Sequence, residues 1–411
     1  MVRVAVVGGG VSGAAASKEA ALRNADVTLF EAEPALSAPR SGWVSMLSEA
    51  PPANIGDRAD ALRDLGVEVR NGEEVIAVDM AGRVSTRRGS TSFDAVVMAT
   101  GSKPVAGGVV GQRKDGFLLM DHEQSYASLA SCLGSLSRVA LVGSGATLLE
   151  VADSLARRRI AIHLFAPDGI MGSRLGEGTN RKLESAIEAA GIIRVSGSPE
   201  RVAGVDHVEA VIVNGAVYPC EALVQIPRLE PNVPSVPAVR GRLGGIVVDQ
   251  ELRSARGSLF AAGSCAEMNR GNTTVRADSD SSSRLMGEVA GANAAGARLS
   301  ASVSCCLCIE VFGISIVAAG LSLREAARAG LDAREVSADS FGGLACTLVY
   351  DRGSLKLWGV QFVGPGAMGY AQAAPLLVSG TLGIDEVSYQ DFPTSTDISP
   401  LAEAAREGLR Q

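Results

Sequence analysis

The sequence predicts an α/β chain: two halves built on parallel sheets, then an α+β module with an antiparallel sheet. Three observations carry that prediction. A glycine-rich turn joins a buried strand to a helix near the amino terminus. The same strand–glycine–helix–strand order returns from residue 137, and beyond residue 300 the pattern changes to alternating strands with short helices. At 411 residues the chain exceeds one core and suits two or three domains.

The first unit opens with Val2-Arg3-Val4-Ala5-Val6-Val7, an apolar run expected of a strand buried on both faces. It enters Gly8-Gly9-Gly10-Val11-Ser12-Gly13 and an alanine-rich helix over 14–22. In a G-x-G-x-x-G turn, Gly8 makes the tight bend, Gly10 lets backbone approach a pyrophosphate, and Gly13 lets helix and strand pack closely. The helix N-terminus then offers free amides and a partial positive charge to that pyrophosphate. A second strand, 25–30, ends at Glu31, where an acid can take a ribose hydroxyl pair. Strand, turn, helix, strand and acid together predict a Rossmann-like dinucleotide-binding domain; a glycine turn in another α/β fold is the alternative.

Short strands are expected over 68–80 and 82–94, then a buried strand ending in the small-residue turn Ala99-Thr100-Gly101. The second unit runs from the strand 137–142 through Gly143-Ser144-Gly145 to a helix ending at Arg158 and a strand over 160–165. It is weaker than the first. Leu148 occupies the third glycine position and Ala166 the place of a ribose acid, with Asp168 a turn further on. Strands over 244–249 and 257–262 follow, the latter ending at Gly263-Ser264-Cys265-Ala266, and then a helix over 284–297.

Composition narrows the function. Hydrophobic residues make up 46% of the chain against 4% aromatics, so the cores are aliphatic. A formal net charge of -7 without basic blocks argues against nucleic acid or anionic lipid as partner. No apolar run approaches a membrane span, and the opening strand lacks the flank and cleavage site of a signal peptide, so a cytoplasmic protein is expected. Seven cysteines in a chain this long do not form a disulfide framework. Cys305, Cys306 and Cys308 fall in a strand-like run, 303–311, where alternation sends Cys306 and Cys308 to one face and Cys305 to the other. They read as small hydrophobes, and no metal site is expected.

These units, the two small-residue turns, and the stretches 318–326 (Ala-Ala-Gly-Leu-Ser-Leu-Arg-Glu-Ala) and 357–366 (Leu-Trp-Gly-Val-Gln-Phe-Val-Gly-Pro-Gly) resemble the FAD-dependent pyridine nucleotide-disulfide oxidoreductases. The branch is that of NADH oxidase, NADH peroxidase and coenzyme A disulfide reductase, and the resemblance covers the whole chain. It implies an FAD-binding domain over 1–107 and 237–300, an NAD(P)-binding domain over 108–236, and a carboxy-terminal dimerisation domain over 301–411. It implies FAD at Gly8, Gly10, Val11, Ser12, Gly13, Glu31, Ala99, Thr100, Gly101, Gly263 and Ser264. NAD(P)H falls to Gly143 and Gly145, with Glu150 near the nicotinamide, and the chain to a homodimer.

The sequence departs from that branch where its chemistry lies. The redox cysteine of the S-x-x-x-C-G setting is Ser41, in Ser37-Ala38-Pro39-Arg40-Ser41-Gly42. A hydroxyl forms neither a sulfenic acid nor a mixed disulfide. The first-loop histidine of some members is Val11, the acid at the flavin's ribityl chain is Ser264, and the aromatic-and-proline tail is reduced to 391–397. The expected function is therefore an NAD(P)H oxidoreductase passing electrons through flavin to oxygen, mainly giving peroxide, or to another small acceptor. The alternative is a flavin-binding sensor or structural partner without turnover, favoured by Leu148 and Ala166. Little discrimination between NADH and NADPH is expected, and Ser41 has a plainer reading as a helix cap.

Overall fold

The computed structural model describes residues 1–37, 39–48, 58–105, 108–255, 257–270, 273–277, 279–340, 342–380, 382–392 and 399–410, without the side chains of Arg40, Ser41, Arg58, Arg270 and Thr273. They form two compact units, residues 1–105 with 229–305 and residues 106–228 with 306–411.

The first unit centres on a five-stranded parallel sheet. Its order is Leu259–Ala261, Ala95–Met98, β1 (Arg3–Val7), β2 (Asp26–Glu31) and Glu68–Asn71. Val4, Ala5 and Val6 are wholly buried, because both faces of such a sheet are covered. From β1 the chain steps to β2 on one side and later to 95–98 on the other. The strand order therefore reverses at β1, where open α/β sheets bind ligands beyond their carboxyl ends.

Two helices lie against each other through their smallest residues. α1 (Val11–Ala21) presents Ser12 and Ala16 to Gly287 and Gly291 of the helix Asp280–Ala294. A Cβ on Gly287 would stand 2.2 Å from the Ser12 carbonyl oxygen, and one on Gly291 2.1 Å from that of Ala16. Glycine is required here by backbone contact.

Helix starts differ from the sequence expectation in one direction. α1 begins at Val11, not 14, and the later helix at Asp280, not 284. In the second case Ser279 is the reason: its Oγ accepts the Ser282 N–H at 3.2 Å, capping the helix and making the serines its first turn.

The second unit holds a parallel sheet ordered Ile193–Val195, Ala161–Phe165, Arg138–Val142, Ala222–Gln225 and Phe117–Leu119. It also holds a five-stranded antiparallel sheet ordered Leu307–Val311, Ile314–Gly320, Leu357–Val363, Ala345–Asp351 and Ala333–Asp339. The strand read from sequence as 303–311 is shorter: Cys305 adopts φ 48° and pairing starts at Leu307, so strand alternation does not extend back to Cys305. The helices Ile384–Ser388 and Pro400–Arg410, the latter burying Leu401, Ala404 and Ala405, complete this part. Among the described residues no helix is long and apolar enough to cross a membrane.

A polar joint ties the helix Glu177–Ala189 to the antiparallel sheet. The Gly176 N–H donates to Gln361 Oε1 at 3.0 Å, and Lys182 Nζ reaches Asp339 Oδ1 at 2.7 Å. A Cβ on Gly176 would lie 2.7 Å from Glu335 Oε2. Burial, then the charge of Glu177, pushes the Glu335 carboxyl above its ordinary 4.5, with Arg324 opposing. The folded chain thus holds a proton that the unfolded chain releases. That contribution is complete below pH 4.5 and is lost as pH rises through the raised value. Glu335→Gln is expected to raise the urea midpoint at neutral pH and to lose this advantage below pH 4.5; an equal gain at both ends of the range would contradict it.

Candidate functional site: two glycine turns at strand ends

Beyond the carboxyl end of β1, Gly8 turns at φ 103°, and a Cβ there would meet the Ala99 carbonyl oxygen at 2.4 Å. A Cβ on Gly13 would lie 1.7 Å from the Gly8 carbonyl oxygen. Gly10, between them, has no atom within 4 Å of its Cβ position, so the turn has one open side. The first bond inside α1 runs from the Ala14 N–H to the Gly10 carbonyl at 2.9 Å. It leaves the amides of Val11, Ser12 and Gly13 without an acceptor in the helix, at its positive end. A turn closed by backbone on one side and open above free amides fits a pyrophosphate.

Glu31, at the end of β2, is 8% exposed. Its Oε2 accepts the Gly9 N–H at 2.6 Å and its Oε1 the Glu33 N–H at 2.9 Å. These two bonds fix the carboxylate beside the turn and leave each oxygen a free lone pair for a sugar hydroxyl. Glu31→Ala strands two backbone donors, at a cost of about 1–3 kcal/mol. It should also weaken retention of a dinucleotide. Chemical denaturation and retention on gel filtration check both, and an unchanged protein by either measure counts against this role.

The neighbouring strands close the site. Ala99 donates its N–H to the Val7 carbonyl at 2.8 Å, and Gly101 turns at φ 68°. The Thr100 hydroxyl donates to the Asn232 carbonyl, and the Asn232 N–H returns to the Gly101 carbonyl at 3.0 Å. Gly263, at φ 77°, passes so near α1 that a Cβ would lie 2.4 Å from Ser12 Oγ, with half-buried Ser264 next to it. The structure therefore gathers Gly8, Gly10, Val11, Ser12, Gly13, Glu31, Ala99, Thr100, Gly101, Gly263 and Ser264 around the carboxyl ends of four adjacent strands. Asn232 escapes a reading of the sequence, because it reaches Thr100 across 132 residues and carries no local motif. Cys265 is inert beneath the turn: it is wholly buried, its Sγ donates to the Met98 carbonyl at 3.4 Å, and burial pushes its thiol up.

Ser41 lies by its backbone in the first turn of α2 (Arg40–Ser45); its side chain is outside the described residues. The cap position belongs to Pro39, so the reading of Ser41 as the helix cap does not hold. Of the reduced tail, 393–397 also lies outside the described residues.

In the second unit, Gly143 turns at φ 148° against Ile226, and Gly145, at φ 90° with open space around its Cβ position, precedes the helix Ala146–Arg157. Leu148 is wholly buried in that helix, so the packing absorbs the missing third glycine. Glu150 sits half-buried two residues on, in the same helix of the second unit. The strand before Ala166 ends at Phe165, and Asp168 is exposed beyond it.

Comparison with known proteins agrees with this geometry. The chain is 24% identical over 345 residues to an NADH oxidase of Methanocaldococcus jannaschii, covering 78% of this chain and 76% of that one. It is 23% identical over 425 residues to an NAD(P)H coenzyme A polysulfide/persulfide reductase of Pyrococcus horikoshii, covering 97% and 96%. Among solved structures, a water-forming NADH oxidase from Lactobacillus brevis superposes with a TM-score of 0.87 at 18% identity, over 100% of this chain and 98% of that one. The family described as pyridine nucleotide-disulphide oxidoreductase matches residues 2–286. The chain belongs to that family, whose cofactors are FAD and NAD(P)H, and it is an oxidoreductase.

Proposed function

We propose that the chain is an FAD-dependent NAD(P)H oxidoreductase working without a thiol relay, with oxygen or a small molecule as electron acceptor. FAD, when bound, accepts the hydride equivalent that NAD(P)H supplies. The carrying observation is the first glycine turn, closed by Ala99 backbone, open at Gly10, and flanked by the fixed carboxylate of Glu31. In this reading the amides of Val11, Ser12 and Gly13 hold the pyrophosphate of FAD and Glu31 its adenosine ribose. The turns 99–101 and 263–264 border the rest of the cofactor. Gly143 and Gly145 receive the nicotinamide nucleotide, and Glu150 belongs to that side. Ala166 neither repels nor binds a 2′-phosphate, which supports use of both NADH and NADPH.

Ser41 decides the product. Water formation requires a thiolate that can be oxidised and reduced again, and position 41 carries a hydroxyl. Oxygen reduction should therefore stop at hydrogen peroxide. Residues 301–411 serve as the dimerisation domain of a homodimer. Anaerobic titration with NADH and with NADPH tests the enzyme reading: the yellow flavin absorbance should bleach with either. A flavin that stays oxidised under both contradicts it and favours the sensor reading, which rests on Leu148 and Ala166 and, with Leu148 absorbed by packing, now chiefly on Ala166 where a ribose acid is expected.

A further inference from the structure

Between the strand Ala161–Phe165 and the helix Glu177–Ala189, the second unit runs an irregular segment whose Ile170, Met171 and Leu175 are buried. At its near end the Ile170 carbonyl accepts the Gly145 N–H at 2.7 Å. Gly145 caps the helix Ala146–Arg157 and has no side chain to restrict its backbone, so this bond sets the turn. At its far end the segment is fastened to the antiparallel module. The Ser322 hydroxyl donates to the Ser173 carbonyl at 2.5 Å, Arg328 Nη1 to Ser173 Oγ at 2.9 Å, and the Gly176 N–H to Gln361 Oε1 at 3.0 Å. Arg174 Nη1 donates to the Gly320 carbonyl at 3.2 Å and lies 3.8 Å from Glu325 Oε2. Glu325 is itself fixed, since the same oxygen accepts the Ser322 N–H at 3.0 Å in the capping box of the helix Leu323–Arg328. Asp153, in the helix after Gly145, accepts the Phe312 N–H of that module at 2.8 Å.

We propose that Arg174 is a positioning residue for the nicotinamide nucleotide, acting from the antiparallel module through Ile170 on the Gly145 turn. This role rests on the reading of Gly143 and Gly145 as the turn that receives NAD(P)H. The amides of Ala146, Thr147 and Leu148 follow Gly145 without an acceptor in the helix, whose first bond runs from the Leu149 N–H to the Gly145 carbonyl at 3.4 Å. A phosphate meets those amides as a set when Gly145 keeps one conformation. A turn held beforehand spares the nucleotide the cost of ordering it. Arg174 holds the segment through one nitrogen, in an ion pair only 16% and 25% exposed and so little screened. Its Nη2 is buried without a hydrogen-bond partner among the described residues, so a lysine, with one charged nitrogen, can replace the contacts. By reciprocity, bound nucleotide should steady residues 170–176 in return.

Amide hydrogen exchange on the full-length flavoprotein tests the grip itself, without nucleotide. Arg174→Ala should speed exchange of the Gly145 amide by about tenfold or more, as expected for loss of a hydrogen bond to a charged group. The amides of the strand Arg138–Val142, in the same unit, should exchange as in the wild type. Arg174→Lys should keep most of the protection at Gly145. Lys182→Ala, which removes the ion pair with Asp339 from the same module, should leave Gly145 unchanged. In steady-state turnover Arg174→Ala should raise KM for NADH about tenfold at unchanged kcat, the mark of lost binding rather than lost chemistry. Should Arg174→Ala not fold, the milder Arg174→Gln, which loses only the charge, should speed Gly145 exchange several-fold. Gly145 exchange unchanged in the folded variant overturns the role of Arg174. So does an equal acceleration at Gly145 and along 138–142, which would report a general loss of stability. A wild-type flavin that neither NADH nor NADPH reduces removes the nucleotide reading instead, and the exchange rates still decide whether Arg174 holds the turn.

Discussion

Gly287→Val should destabilise the first unit by about 3 kcal/mol or more, at the upper end of overpacking costs. The new Cβ would lie 2.2 Å from the Ser12 carbonyl oxygen and 2.9 Å from Ser12 Cα, and backbone cannot turn aside as a side chain can. Relief requires the helix 280–294 to move off α1, which strips buried contacts from Ala16, Ala20, Met286 and Ala290. It also shifts the helix start whose amides face the glycine turn, so cofactor retention should fall together with stability. Gly178→Ala supplies the contrast. It lies in a helix with nothing within 4 Å of its Cβ position, and should gain up to about 1 kcal/mol. Urea midpoints compare the two; equal midpoints for Gly287→Val and wild type would show that the helices are not held by this contact.

Ser41→Cys should change the chemistry rather than the stability. Position 41 stands in the first turn of α2, in the family spacing that elsewhere carries the reactive sulfur. A thiolate there, within about 3–3.5 Å of the flavin, should give a long-wavelength charge-transfer band with the oxidised cofactor. Peroxide release should fall several-fold as the thiol consumes peroxide through a sulfenic acid. A serine serving only the helix predicts no new band and an unchanged product. An unaltered visible spectrum in a folded, flavin-loaded Ser41→Cys protein would remove position 41 from the flavin site.

The parts of the fold legible in the sequence were those where backbone geometry demands a residue type. Gly8 and Gly143 sit at positive φ against a neighbouring backbone, and Gly13 has no room for a side chain, so their spacing carries the two parallel-sheet units. Parallel strands wrote themselves as apolar runs, 4–7, 95–98 and 139–142, because both faces are covered. Helix starts were less legible. Ser279 caps from within a serine-rich stretch that also suits a loop, and α1 takes Gly10 as its cap without a side-chain bond. The contact of Asn232 with the 99–101 turn was invisible, since nothing local marks a bond spanning 132 residues. The run 303–311 reads as one strand because it is mostly apolar, with Ser304 and Glu310 its polar members, and no glycine or proline marks the left-handed backbone at Cys305.

Counting electrons tests most directly whether the protein is an oxidoreductase that holds flavin and lacks a redox thiol. Anaerobic titration of the purified protein with dithionite should bleach the flavin with about two electrons per flavin, the capacity of the cofactor alone. Uptake of about four electrons per flavin, the capacity of flavin with a disulfide, would mean that another pair of sulfurs does the work assigned away from Ser41.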